Sequence, residues 1–197
     1  MLFRIKTLFI LSIFFVLFSC SSNREIKKSS DTIHPLQTGL WNNSDSRAVS
    51  DNLVKNLLND RWLAEYINVH KNLRPILIVG NITNSGTEII DTLDFIKEIE
   101  RTILKVNSTR LIQTINKRKD LNSKIKNLSD YDCSETIINW AKEQGADFLI
   151  NGKINSVPEI IKRKKQIHYH IKLELINIET KQLLWIGEKT VTKQIDE

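Results

Sequence analysis

Ile167-His168-Tyr169-His170-Ile171-Lys172-Leu173-Glu174-Leu175 alternates apolar and polar side chains without a break. A period of two over nine residues is a β-strand with one face buried and one face wet. Downstream, Glu179-Thr180-Lys181-Gln182 has turn composition, and the stretch 183–192 returns as a second strand. Upstream, Ala146-Asp147-Phe148-Leu149-Ile150-Asn151-Gly152-Lys153-Ile154 is a third. The chain therefore closes on antiparallel hairpins.

Farther upstream the pattern changes. In 134–144, Ile137, Trp140 and Ala141 share one helical face, and Gly145 follows at a C′ position. The stretch 116–127 is polar with five Lys/Arg and reads as an exposed helix or loop. Leu111-Ile112-Gln113-Thr114-Ile115 reads as a strand. In 92–106, Phe95, Ile99 and Ile103 line one side of an amphipathic helix, with Ile96 beside them. Pro75-Ile76-Leu77-Ile78-Val79-Gly80 is a short continuous apolar run, as in a buried central strand. It precedes a polar loop at 81–86. Val49, Leu53 and Leu57 mark a helix over 45–59 that continues through Trp62 and Tyr66, with Ser44 and Asp45 as N-cap types. The order α-β-α-β-α-β-β-β predicts an α/β (α+β) fold, a small mixed sheet with C-terminal antiparallel strands and helices packed on it.

The N-terminus has a different logic. Arg4 and Lys6 precede an apolar run over 7–18, and Ser19 stands before Cys20. That is a secretory signal peptide, and the cysteine at the cut point resembles the lipobox of bacterial lipoproteins. The run is shorter than the roughly 20 residues a membrane-spanning helix needs. The expected domains are a signal peptide at 1–19, the lipidated Cys20 with a flexible polar tether at 20–37, and a globular domain at 38–197. At 3.3–3.6 Å per residue the tether reaches no more than about 60 Å.

The chain has 29 Lys+Arg and 23 Asp+Glu; two of the cations lie in the leader, which leaves +4 on the mature part. That surplus is too mild for a nucleic-acid footprint. With Cys20 lipidated, Cys133 has no second thiol to pair with, so the fold holds by burial. Its setting, Asp132-Cys133-Ser134-Glu135, carries no catalytic signature. Gly80-Asn81-Ile82-Thr83-Asn84-Ser85-Gly86 lacks the Lys-Ser/Thr of a phosphate loop. No nucleophile elbow and no His or Cys metal spacing occurs. His168 and His170 lie about 6.5–7 Å apart on the wet strand face without an indicated third ligand. Neither an enzyme activity nor a small-molecule substrate, cofactor or metal is expected.

Four collinear stretches carry a family resemblance. They are Gly39-Leu40-Trp41-Asn42-Asn43-Ser44-Asp45-Ser46-Arg47, the run Pro75 to Ile82, the run Gly145 to Ile154, and Leu173-Glu174-Leu175-Ile176-Asn177-Ile178-Glu179-Thr180 with Trp185-Ile186-Gly187. Together they resemble the LpoB-type activator lipoproteins of penicillin-binding proteins over about residues 38–195. The resemblance implies a fold like the N-terminal domain of TolB. It also implies a lipid-anchored protein on the periplasmic face of the outer membrane. Its domain would dock on a bifunctional class A penicillin-binding protein and stimulate peptidoglycan synthesis as an allosteric ligand. The tether here is shorter than in enteric members. The alternative is a structural or secretion-associated lipoprotein of the CsgG/TolB-like fold.

Three residues stand out as candidate partner contacts. Trp41 and Arg47 are of types enriched in interface hot spots, with a structural alternative in which Trp41 staples the first helix and Arg47 pairs locally. Arg163 lies in the cationic run 162–165, read either as a solvated hairpin tip or as a contact for an acidic partner or anionic surface.

Overall fold

From the N-terminus the elements are β1 (Gln37–Thr38), α1 (Asn43–Leu58), α2 (Arg61–Val69), β2 (Ile76–Asn84), α3 (Thr92–Leu104), β3 (Arg110–Ile112), α4 (Arg118–Ile125), α5 (Asp130–Glu143), β4 (Phe148–Ile161), β5 (Lys164–Asn177) and β6 (Leu183–Ile195). This computed structural model describes residues 37–161 and 163–195. The expected signal peptide, Cys20, the tether to residue 36 and Lys162 lie outside the described residues.

One six-stranded sheet runs β1-β6-β5-β4-β2-β3. The pairs β4/β5 and β5/β6 are antiparallel, as the alternation requires, whereas β2 is parallel to both β3 and β4. The path from β2 to β3 steps outward, and the path from β3 to β4 steps back across β2. Right-handed crossovers in opposite directions put their helices on opposite faces. The two apolar clusters follow that rule. On one face α1, α2 and α3 pack through Leu53, Leu57, Trp62, Phe95 and Ile99 onto Leu77, Val79, Ile150, Tyr169, Ile171, Leu173 and Trp185. On the other, α4 and α5 pack through Leu121, Ile137, Trp140 and Ala141 onto Ile78 and Leu149. The alternating residues Ile167, Tyr169, Ile171, Leu173 and Leu175 are all buried, as read from their period.

Several local expectations are corrected. The first helix does not run on through Trp62 and Tyr66. It stops at Leu58, and Asp60 is extended (φ −80°, ψ 161°) before α2 begins. The Trp62 indole then donates to Leu57 O at 2.8 Å, serving a helix-end carbonyl. The break also brings Trp62 and Tyr66 onto Phe148, with centroids 5.0 and 5.2 Å away. The N-cap of α1 is Asn42, not Ser44 or Asp45. Its side chain accepts from Ser44 N–H, while Asp45 reaches back to Asn42 N–H in a capping box.

The predicted loop at 81–86 is strand as far as Asn84, with a register shift between Val79 and Ile82. The strand expected over 111–115 shrinks to Arg110–Ile112. Stretch 116–127 is not simply exposed, since Arg118 and Leu121 are buried. Arg118 reaches the carbonyls freed at the irregularity in β2. It donates to Val79 O at 2.7 Å, to Gly80 O, and to Thr114 Oγ1 at 2.8 Å. Thr114 in turn donates through N–H and Oγ1 to Glu100 Oε1 at 2.9 and 2.6 Å. Burial lowers the Arg118 pKa to about 10, against the opposing pull of Glu100.

Gly145 ends α5 with φ +81°, the left-handed turn that glycine makes without strain. Gly187 has a different reason to be glycine. A Cβ there would lie 2.1 Å from the Trp185 ring.

Candidate docking surface

The 39–47 motif builds the junction between α1 and β6. β1 runs parallel to β6, pairing Gln37 with Lys193 and Thr38 with Gln194. Gly39 N–H then donates to Gln194 O at 3.0 Å. This entry places Trp41 over the sheet, 5.2 Å from the Tyr169 ring and 6.2 Å from Phe95. The Trp41 indole donates to Ser46 Oγ at 2.9 Å, and its backbone N–H to Glu88 Oε1 at 3.1 Å. Trp41 thus closes the first apolar cluster, in keeping with its reading as a staple. Arg47 does not pair locally. It is exposed, and its Nε lies 3.5 Å from Glu98 Oε2 on α3, a carboxylate also held by Arg101 at 2.5 Å.

Two charged contacts beneath this junction were not foreseen. Lys193 is 1% exposed and Asp45 3%. The ammonium donates to Asp45 Oδ2 at 2.5 Å and to Leu40 O at 2.6 Å. Trp185, Gly187, Lys189, Val191 and Lys193 alternate along β6, so parity alone assigns Lys193 to the buried face. The Tyr169 hydroxyl donates to Glu88. Burial pushes that hydroxyl's pKa up, and the Glu88 carboxylate adds to the shift. Glu88 belongs to a loop, where no periodicity marks a partner.

On the opposite face α4 and α5 reach β4 and β5 only around Leu149 and Ile176, and the distal part of β4–β5–β6 lies outside their apolar cluster. The side chains of that distal part include Lys153, Asn155, His168, His170, Lys172, Glu174, Ile186, Glu188 and Thr190. A shallow groove of about 300 Å³ runs between Lys153, Asn155, His170, Glu188 and Thr190. His168 makes two contacts, Nδ1 at 3.0 Å from Thr192 Oγ1 and Nε2 at 2.9 Å from Glu159 Oε2. His170 Nδ1 lies 3.2 Å from Thr190 Oγ1. Among the described residues no group of three His, Cys, Asp or Glu is placed to hold a metal. Cys133 packs on the second apolar cluster. Arg163 sits at the β4–β5 turn with φ +65°. Trp41, Arg47 and Arg163 therefore form no single constellation: one packs half-buried on the first apolar cluster, one lies on a helix, and one sits at a hairpin turn. What the surface offers is recognition chemistry, namely cations, hydrogen-bonding side chains and isolated apolar groups.

A family model described as "Peptidoglycan-synthase activator LpoB" matches residues 45–191. Among solved structures, the chain is similar to the LpoB C-terminal domain from Salmonella enterica, with 13% identity and a TM-score of 0.53 over 75% of this chain and 98% of that one. It is also similar to E. coli LpoB as solved by NMR, with 12% identity and a TM-score of 0.50 over 74% of this chain and 66% of that one. At these identities the structural likeness establishes the fold. No curated protein sequence matches the chain.

Proposed function

The chain belongs to the LpoB family of peptidoglycan-synthase activators, and from that premise we propose that residues 38–197 are a docking module for a bifunctional class A penicillin-binding protein. The module is carried on a lipid at Cys20. It hangs from the periplasmic face of the outer membrane, because Ser21 lacks the acidic character of an inner-membrane retention signal. It performs no chemistry of its own. It activates by binding the synthase's active state more tightly than its resting state, so the coupling equals the difference in affinity.

The observation that carries this reading is the bare face of β4–β5–β6 in a domain of an activator family. Helices cover most of one face of the sheet and about half of the other. The uncovered half is where a second protein meets strands directly. Arg47 and that open face are available to the synthase. Trp41 is half-buried, with its ring packed on Tyr169 and Phe95, so its main part here is to hold the junction together.

The test is the rate of glycan-chain synthesis by the same organism's class A synthase, with and without purified residues 21–197. A several-fold rise at stoichiometric protein is expected. No change in rate together with no binding overturns the reading and leaves a lipoprotein of this fold with another partner.

A further inference from the structure

The β4–β5 hairpin runs well past β2, whose pairing with β4 stops at Asn84 opposite Ile154, and one pair past the last described pair with β6. Its pairs continue to Ile161 opposite Lys164, and the last described pair of β5 with β6 is Lys165 opposite Ile195. At this tip Ile160 is 78% exposed, and Val157 and Ile161 are exposed as well. Ile160 pairs with Lys165 and Ile161 with Lys164. Directly opposed residues share a face, so each side of the tip carries an isoleucine beside a cation, and Arg163 crowns the turn. Among the described residues none of these three cations meets a carboxylate. The nearby Glu159 is engaged by His168.

The base of the hairpin extends the same chemistry. Thr87 N–H donates to Ser156 O at 3.1 Å and Glu88 N–H to Ser156 Oγ at 2.9 Å, while Trp41 N–H reaches Glu88. The neighbours of these contacts, Ile89 and Leu40, are 98% and 55% exposed. The chain also enters the fold here. Thr38 pairs with Gln194, one residue from the Ile195–Lys165 pair.

We propose that this end of the domain seats on an anionic phospholipid leaflet, the one that holds the protein's own anchor. The end combines three cations with the exposed apolar side chains Leu40, Ile89 and Ile160. A lipid interface takes both kinds of side chain. Apolar groups sink to the acyl boundary while Lys and Arg meet the headgroup phosphates. A weak contact suffices, because 17 residues from Cys20 to residue 36 span at most about 60 Å, and such tethering raises the local concentration of the leaflet. The choice of leaflet rests on the Cys20 reading, but the lipid contact does not. Arg163 becomes a lipid contact, and the open sheet face remains the synthase's.

The described domain holds both apolar clusters and all six strands, so residues 21–197 serve as the probe. They should co-sediment with vesicles of phosphatidylglycerol in phosphatidylcholine, more weakly as salt rises, and not with phosphatidylcholine alone. Arg163→Glu with Lys164→Glu should weaken binding by more than about tenfold, since each cation near an anionic surface contributes roughly fivefold. Ile160→Ser, which leaves charge unchanged, should weaken it several-fold. Both variants should unfold at the wild-type temperature and activate the synthase normally in detergent without vesicles. Failure of the wild type to sediment overturns the proposal, as does wild-type sedimentation of both variants. Loss of activation in detergent by the tip variants also overturns it, by assigning the tip to the protein partner. Failure of the wild type to activate would instead sink the activator reading and leave the vesicle result standing.

Discussion

The two halves of the sheet are held in different ways. β3, β2 and the first part of β4 lie between helices on both faces, and their runs, such as Ile76-Leu77-Ile78-Val79 and Phe148-Leu149-Ile150, are continuously apolar. β6, the distal part of β4 and β5 ahead of Ile176 have helices on one face only, and their sequences alternate. The connections cause the difference. A helical crossover must lie on a face of the sheet and cover it, whereas a hairpin covers nothing. The covered half gains its stability from two layers of apolar contact. The open half has one such layer and, among the described residues, one buried ion pair, Lys193 to Asp45, that joins its far end to α1.

The comparison breaks most sharply at that pair. Lys193→Ala leaves the Asp45 carboxylate buried without its partner, a change that costs about 3–5 kcal/mol. Lys193→Met combined with Asp45→Asn should restore most of the loss. No charge is then stranded, and the amide oxygen introduced at position 45 still accepts from Asn42 N–H. Urea unfolding of the three proteins measures this. A single-variant loss below about 1 kcal/mol would show that the pair does not hold the open half.

Next in size is a contrast across the second face. Leu149 is fully buried under α5 and Ile186 is 47% exposed on the open half. Leu149→Ala should cost about 2–5 kcal/mol through lost burial and a cavity. Ile186→Ala should stay within about 0.5 kcal/mol. Equal costs would mean that the open face is covered in solution, and a second copy of the chain would then be sought by sedimentation.

What was legible in the sequence divides along the same line. The three amphipathic helices and the buried sides of β5 and α5 follow from periodicity, and β2 and β4 from continuous apolar runs, because both patterns report burial directly, whereas the short β1 has no such signal. The family resemblance was likewise carried by short local stretches. The errors sit where a polar residue has a distant partner. Arg118 lies in a Lys/Arg-rich stretch and looks solvated, yet Gly80 O and Val79 O, about 40 positions away, give it a reason to be buried. Trp62 reads as a continuation of α1 until its indole is seen on Leu57 O. Arg47 reads as a local pair, while Glu98 is 51 positions along the chain. Trp41 illustrates the same point for function. Its residue type suggests an interface, and only the Tyr169 and Phe95 rings show that it also has packing partners within the fold.

The smallest expected effect sharpens the picture at the N-terminal ends of the covered strands. Asp147 Oδ2, just before β4, accepts from Ile76 N–H at 2.7 Å and from the Tyr66 hydroxyl at 3.1 Å. It thereby ties α2 to both parallel strands. Burial, reinforced by the Asp147 charge and hydrogen bond, raises the Tyr66 pKa from 10.0 to about 12. The folded chain therefore keeps a proton that the unfolded chain has lost. That contribution is fully present below pH 10 and disappears as pH rises towards about 12. Because Tyr66 is only half-buried, solvent screening holds it below about 1 kcal/mol. Lysines titrate in the same window, so the readout is the difference between wild type and Tyr66→Phe in urea unfolding from neutral to alkaline pH. The difference should be largest below pH 10 and shrink above it. A difference that stays constant across the window would mean that the hydroxyl contributes packing alone and that Asp147 secures β2 without help from α2.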